Sequence, residues 1–154
     1  MYDLRPVVSV IGRLTAVLGA SMLVAAAIDF GNGDANWQGM ALAAFLTLAS
    51  GGALSFAARD EDRRGLSRQQ AFLLTTLVWV VLPVFGALPF VFGTPQASYT
   101  DAYFEAMSGL TTTGATVMTG LESQPQGVLF WRALLQWYGG VGIVVFEIGR
   151  ASCR

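Results

Sequence analysis

Histidine and lysine are absent from this 154-residue chain, and there is a single cysteine, Cys153. A protein zinc site needs about four nitrogen, sulfur or oxygen ligands, so the usual His and Cys sites cannot form within one chain. The lack of histidine also excludes a nucleophilic triad built on an imidazole base. One thiol cannot form a disulfide bond within the chain. Zinc-dependent activities that need His and Cys ligands, and hydrolysis by a His-dependent triad, are therefore excluded within one chain.

Charge is also scarce. Only 12% of the residues are charged, whereas a soluble domain typically carries about 25%. Hydrophobic residues make up 54% of the chain, and the mean hydropathy is +0.55. The net charge of -1 lacks the excess of cations that nucleic acid requires, so no nucleic-acid partner is expected. The composition predicts a protein embedded in a lipid bilayer.

Four stretches approach the length of about 20 residues that a helix needs to cross a bilayer. Helices are expected because a backbone in lipid must satisfy its own hydrogen bonds, so the predicted fold class is all-α integral membrane. The small residues Ala25 to Ala27 could alternatively mimic the cleavage site of a signal peptide. The predicted spans are Val7 to Ile28, Gly39 to Ala58, Ala71 to Gly93, and Val128 to Phe146.

The arginines give the orientation of these spans, because positive residues stay on the cytoplasmic side. Arg5 lies in the N-terminal arm, and four arginines lie in the 59–70 loop: Arg59, Arg63, Arg64 and Arg68. The connections 29–38 and 94–127 contain no basic residue. The N-terminus and the 59–70 loop are therefore predicted to be cytoplasmic, and Trp37, Trp131 and Trp137 are placed to form an interfacial belt.

Two arginines, Arg13 and Arg132, fall inside predicted spans near their ends. The favoured interpretation of each is snorkelling, in which the guanidinium reaches the headgroups. Arg132 could instead pair with a carboxylate near the outer surface, either Glu122 or Glu105. The sequence does not choose between these alternatives.

The external segment 94–127 is too long for a simple connection. Ser98 and Asp101 have the spacing of a capping box, and the residues that follow predict an amphipathic helix too short to span a bilayer. The sequence then runs Thr111-Thr112-Thr113-Gly114-Ala115-Thr116. A short helix followed by a Thr/Gly strand can aim carbonyl oxygens at one axis and replace the hydration shell of a potassium ion. Gly114 would permit positive φ. The alternative is an external loop that happens to be rich in threonine.

Two runs of sequence carry a family resemblance. Residues 101–116, DAYFEAMSGLTTTGAT, and residues 130–144, FWRALLQWYGGVGIV, closely resemble the first pore loop and the following helix of the TrkH/KtrB potassium-uptake family. The resemblance implies two N-terminal transmembrane helices, 1–58, a cytoplasmic loop, 59–70, and one helix–pore loop–helix repeat, 71–146. That repeat would be the first of four, with a pore helix at about 99–110 and a filter at 111–116.

The resemblance also implies the residues of an ion site. Thr112, Thr113, Gly114 and Ala115 would supply carbonyls to K+, and Thr116 would close the outer end of the filter. In related plant transporters a serine at the Gly114 position accompanies sodium transport, so glycine implies a preference for potassium. The family implies no cofactor, a TrkA-type cytoplasmic nucleotide-binding partner, a homodimer, and a location in the bacterial inner membrane.

Supporting residues have alternative roles. Asp101 and Glu105 could concentrate cations at the outer mouth, but a structural role is favoured, as a helix cap for Asp101 and as a partner of a neighbouring side chain for Glu105. Arg132 would support the same region. Gly139, Gly140 and Gly142 favour close helix packing, with a gating bend as the alternative.

The resemblance stops after Phe146. Residues 147–154, EIGRASCR, place charges where the family has apolar residues, so we expect a non-native tail on the N-terminal part of a longer protein. A membrane-embedded enzyme is disfavoured because the predicted spans hold no Asp, Glu or His before Glu147. A small accessory membrane protein is the other alternative.

Overall fold

The computed structural model describes residues 4–58 and 67–152, with side chains up to Gly142. The predicted all-α integral membrane class is confirmed: three described stretches are long and apolar enough to cross a membrane, Arg5–Gly31, Trp37–Ala57 and Arg68–Phe92. A short 3₁₀ turn, Leu121–Ser123, lies before the last helix. The helices are α1 Arg5–Gly31, α2 Trp37–Ala57, α3 Arg68–Gly86, α4 Leu88–Phe92, α5 Tyr99–Leu110 and α6 Gln126–Ser152.

Helices α1 and α2 form a tight antiparallel pair. A Cβ placed on Gly12 would lie 2.6 Å from the backbone nitrogen of Ser55, and one on Gly51 would lie 2.5 Å from that of Ala16. Small residues at such crossings let two helix backbones approach closely within a membrane. The pair is therefore held by backbone proximity, which the hydropathy pattern did not reveal.

Helix α1 is longer than predicted. It continues to Gly31, so Asp29, which was assigned to an outer loop, belongs to the helix and is fully buried. The earlier prediction that the spans before Glu147 hold no acidic residue is therefore wrong for the helix as it forms. A buried carboxylate requires hydrogen-bond donors, and those of Asp29 come from other parts of the chain.

The third predicted span is interrupted. Helix α3 ends at Gly86, and α4 begins at Leu88 with Pro89 in its first turn. Proline has no N–H to donate and clashes with the carbonyl four residues earlier, so it is best accommodated in the first turn of a helix, where Pro89 lies. The N–H of Phe90 turns to the Ala87 carbonyl at 3.0 Å. The span is thus a long helix followed by a short second one.

Trp131 occupies the core rather than an interfacial belt. Its side chain is fully buried, and its indole Nε1 donates to the Gly86 carbonyl at 3.0 Å, next to the break between α3 and α4. The interfacial prediction for Trp131 is therefore wrong. Trp137 is 64% exposed, and Trp37 packs edge-on against Phe30 with ring centroids 5.5 Å apart.

The core lies where α1, α2, α4, α5 and α6 converge. Its largest buried members are Trp131, Phe90, Met22, Met40 and Leu135. Large apolar side chains such as Phe45, Phe56 and Phe72 are exposed on the outside of the helices, as expected of surfaces that face lipid. Helix α5 lies between α3 and α6, so the core packs around the short helix.

Some predictions fall outside the described residues. Arg59, Arg63 and Arg64 of the 59–70 loop lie there, whereas Arg68 begins α3 behind a capping box made by Ser67 and Gln70. The helical backbone of α6 continues to Ser152, and the remaining two residues of the predicted tail, including Cys153, lie outside. The predicted domain boundaries stay predictions.

Candidate functional site

The short helix α5 begins where its cap was predicted. The Ser98 hydroxyl accepts a hydrogen bond from the Asp101 backbone N–H at 3.2 Å and donates to the Asp101 carboxylate at 2.7 Å. The helix has 12 residues, Tyr99–Leu110, and at 1.5 Å per residue is about 18 Å long. Ser98 is therefore the N-cap and Asp101 supports it from the first turn. The short helix has the bounds predicted for it, and its role as a pore helix stays a prediction.

The chain turns back on the end of α5 before it extends. The backbone N–H groups of Thr111, Thr112 and Thr113 donate to the carbonyls of Met107, Gly109 and Ser108 at 2.8, 2.9 and 3.0 Å. These bonds satisfy carbonyls that the end of a helix would otherwise leave without partners. The predicted filter segment is thereby tied to the helix from its first residue.

Two alternate residues of this segment are left-handed. Gly114 has φ +74°, a conformation that its missing Cβ permits, and Thr112 has φ +58°. A β-branched residue in this region is an outlier, and such backbone strain costs about 1–3 kcal/mol. The conformation of Thr112 was not predicted, because no local sequence signal favours threonine there.

Glu105 holds the outer part of the loop. Its side chain is fully buried, and its Oε1 accepts from the Thr116 hydroxyl at 2.5 Å and from the backbone nitrogens of Val117 and Met118 at 2.7 and 3.2 Å. One carboxylate therefore fixes three consecutive residues against α5.

The second oxygen of Glu105 binds α6. Nε of Arg132 donates to Oε2 of Glu105 at 3.0 Å, and the Arg132 side chain is 16% exposed. The snorkelling interpretation of Arg132 is therefore wrong, and its alternative partner, Glu105 rather than Glu122, is confirmed. The structural role favoured for Glu105 is confirmed as well. Arg13 is exposed on α1, and its snorkelling stays a prediction.

Ser108 is a further anchor that the sequence did not indicate. Its hydroxyl donates to the Ala115 carbonyl at 2.6 Å, and it is 6% exposed. The two residues come together only because the chain reverses after α5. Residues 111–116 are themselves exposed, so the loop is fastened on one side by α5 and open on the other.

The C-terminal end of α5 packs directly on α6. A Cβ on Gly139 would strike the Leu110 carbonyl and lie 3.2 Å from the Leu110 Cα, and one on Gly109 would lie 3.0 Å from the Leu135 Cβ. Close packing is confirmed for Gly139. Within the described residues, a Cβ on Gly140 or Gly142 meets nothing within 4 Å, so the packing prediction does not extend to them.

The described residues contain no group of three or more His, Cys, Asp or Glu that could hold a metal ion. The polar groups of the site are instead backbone carbonyls, threonine hydroxyls and one buried ion pair.

Long apolar helices around a short packed helix and its fastened loop define an all-helical integral membrane protein. Residues 37–149 match the family model TrkH, described as cation transport protein. The chain belongs to this family.

Individual relatives are similar over nearly the whole chain. The Trk system potassium uptake protein TrkH of Escherichia coli K12 is 38% identical over 145 residues, and that of Halomonas elongata is 39% identical over 147. These alignments cover 94% and 95% of this chain but 30% of each relative. The chain therefore spans about 30% of the length of these curated relatives.

The fold has a close match among solved structures. The crystal structure of the potassium transporter TrkH from Vibrio parahaemolyticus superposes with a TM-score of 0.87 at 36% identity. The match covers 96% of this chain and 32% of that one. The helices described above are thus arranged similarly to about a third of that solved structure.

Proposed function

We propose that this chain supplies the first quarter of the selectivity filter in a pore subunit that takes up potassium. The observation that carries the proposal is the loop 111–116, held from behind by Glu105 and Ser108 and exposed on its other side. A backbone at membrane depth that is not helical needs such support, and it is tolerated where it lines a pathway or is buried in protein.

The proposed ligands are the carbonyls of Thr112, Thr113, Gly114 and Ala115. In a regular extended strand, successive carbonyls point to opposite sides. Left-handed residues at positions 112 and 114 interrupt this alternation, which favours carbonyls that point to the same side. The Ala115 carbonyl accepts from Ser108, but a carbonyl oxygen has two lone pairs and retains one for an ion. The Thr116 hydroxyl donates to Glu105. Thr116 would therefore close the outer end of the filter by holding the loop to α5 and would not bind the ion.

The mechanism needs no covalent chemistry and no cofactor. A potassium ion would shed water at the outer mouth, exchange its hydration for carbonyl oxygens and move inward along its electrochemical gradient. Helix α5 would assist, because the C-terminal end of a helix carries partial negative charge.

The assembly is part of the proposal. Helices α3 and α4, helix α5 with its loop, and helix α6 would form the first helix–pore loop–helix repeat of four, the rest belonging to a longer polypeptide. The relatives, of which this chain covers about 30%, support that interpretation. We further propose a bacterial inner-membrane location with a cytoplasmic N-terminus, a homodimer and a TrkA-type regulatory partner, as the family resemblance implies.

Gly114→Ser tests the filter. Among the described residues, a Cβ at Gly114 approaches only the Gln136 Nε2, at 3.9 Å, so the new side chain has room there. A left-handed backbone nevertheless costs an L-residue about 1–2 kcal/mol. Relaxation of that strain would rotate the carbonyls of the loop. We expect the preference for K+ over Na+ to fall about tenfold, equivalent to about 1.4 kcal/mol, measured as ion uptake by a potassium-uptake-deficient bacterium carrying the complete gene.

Gly33→Ser is the matched control. Gly33 has φ +70°, and a Cβ there meets nothing within 4 Å among the described residues. Serine at position 33 therefore introduces backbone strain similar to that of serine at position 114, but outside the loop 111–116. The control should leave selectivity unchanged. Equal selectivity in both variants and in the unsubstituted transporter would contradict the assignment of the filter.

A further inference from the structure

Asp29 is a buried carboxylate that the proposed transport mechanism does not use. It lies near the end of α1 and is fully buried. Its Oδ1 accepts from the backbone N–H of Gly127 at 2.6 Å, and its Oδ2 accepts from the Asn36 side-chain amide at 2.5 Å. Gly127 is in the first turn of α6, where the N–H groups lack helical partners and the helix dipole favours an anion.

Asn36 extends this network to the first residue of the segment 94–127, which contains α5 and the loop 111–116. Its Oδ1 accepts from the backbone N–H of Thr94 at 2.5 Å. Thr94 follows α4 and begins the segment that contains α5, whereas Gly127 ends that segment. One carboxylate–amide pair therefore holds both ends of the segment 94–127.

Glycines next to both ends of the segment pack closely against the pair or its neighbours. A Cβ on Gly127 would strike the Asp29 carboxylate, and one on Gly93 would lie 2.5 Å from the Asn36 Oδ1. Nearby, a Cβ on Gly39 would strike the Phe92 carbonyl. Backbone contacts this close mean that a small movement of the pair must move the loop ends with it.

The network leads to the candidate filter through α6. Arg132 lies five residues after Gly127 on the same helix and binds Glu105 at 3.0 Å, and Glu105 holds residues 116–118. The position of the first turn of α6 thus helps to set the position of the arginine that fixes the loop.

We propose that Asp29 and Asn36 form a clamp that positions the pore loop, so that the N-terminal helix pair contributes to ion selectivity. The inference rests on the proposed function above. Both are positioning residues, because they act on the ion pathway through Thr94 and Gly127 and touch no proposed ligand.

Exchanging the two side chains tests the clamp. Asp29→Asn alone leaves one oxygen for two donors, and Asn36→Asp alone places two carboxylates together. In the double variant, the new amide at position 29 can donate to the new carboxylate at position 36 and accept from Gly127, while the carboxylate accepts from Thr94. Every hydrogen bond and the net charge are then restored.

We expect each single variant to lower the K+ over Na+ flux ratio about tenfold, and the double variant to return it to within about twofold. The ratio is measured in proteoliposomes containing the complete transporter and is normalised to the amount of inserted protein. Asn32→Ala is the control, because Asn32 donates to Gln126 at 3.1 Å between the same two helices on an exposed surface. It should leave the ratio unchanged.

Three outcomes would overturn the clamp. The single variants could lose inserted protein while each remaining transporter keeps its ratio, which would show a purely structural role. They could leave both quantities unchanged, or the double variant could fail to recover. Failure of the proposed function is distinguishable, because an unsubstituted transporter without potassium preference, or an insensitive Gly114→Ser variant, would show it independently of Asp29.

Discussion

Replacing Glu105 with glutamine is expected to destabilise the protein by about 3 kcal/mol, because removal of one partner from a buried ion pair leaves the other charge uncompensated. The glutamine has one acceptor oxygen where Glu105 has two. If that oxygen keeps the donors from residues 116–118, the amide nitrogen, itself a donor, faces the Arg132 donor and no hydrogen bond forms between them. If it turns to Arg132, the outer end of the loop loses its acceptor.

The same substitution should abolish most potassium uptake. Glu105 is fully buried, so water cannot replace the missing acceptor. The loop would then lose its fixed geometry on the side away from the proposed ion site. The loss of stability is measured as the midpoint of thermal unfolding in detergent, and the loss of function as potassium flux per inserted transporter.

Asp101→Asn is the matched control on the same helix. Asp101 is exposed and interacts with Ser98 within the cap, so its neutralisation should cost less than about 1 kcal/mol. A second variant, Glu105→Gln with Arg132→Gln, removes the uncompensated charge and should recover at least about 1 kcal/mol. The ion-pair argument would fail if Glu105→Gln were no more harmful than Asp101→Asn, or if the double variant showed no coupling.

Gly139→Ala is expected to have the second largest effect. The added methyl group would collide with the Leu110 carbonyl, at the residue that precedes Thr111. Overpacking of this kind costs about 1–3 kcal/mol, and here the atom that must move is backbone rather than a flexible side chain. We expect the end of α5 to be displaced and potassium flux to fall, with a lower unfolding midpoint.

Gly140→Ala separates packing from gating. A Cβ on Gly140 meets nothing within 4 Å among the described residues, and alanine is favoured over glycine within a helix by up to about 1 kcal/mol. This variant should be neutral or slightly more stable. A gating bend at the glycine pair would instead make both substitutions harmful to flux, and equal losses would contradict the packing explanation.

Local signals accounted for most of the helical architecture. The predicted short helix at 99–110 matches Tyr99–Leu110, because the Ser98 cap and the amphipathic pattern lie within the segment itself. The sequence indicated that Gly114 permits a positive φ because it lacks a Cβ, and the residue adopts φ +74°. The helix break near Pro89 was not predicted, although the proline that causes it was present in the predicted span.

The errors concern polar or amphipathic side chains whose partners are distant in sequence. Arg132 and Glu105 are 27 residues apart, Asp29 and Gly127 are 98 apart, and Trp131 reaches a carbonyl 45 residues away. For each of these residues, surface and interior positions were both plausible locally. Only a specific donor or acceptor from another helix makes burial favourable.

The candidate loop combines both kinds of information. Hydropathy, a helix cap and a Thr/Gly run were sufficient to predict membrane helices, a short helix and a non-helical segment after it, because each of these depends on neighbouring residues. The tertiary structure alone decided that Glu105 and Ser108 hold the loop and that Asp29 and Asn36 hold the two ends of the segment 94–127 that contains it. These contacts exist only after α1, α2, α5 and α6 pack together, because a buried carboxylate is stable only where packing supplies its donors.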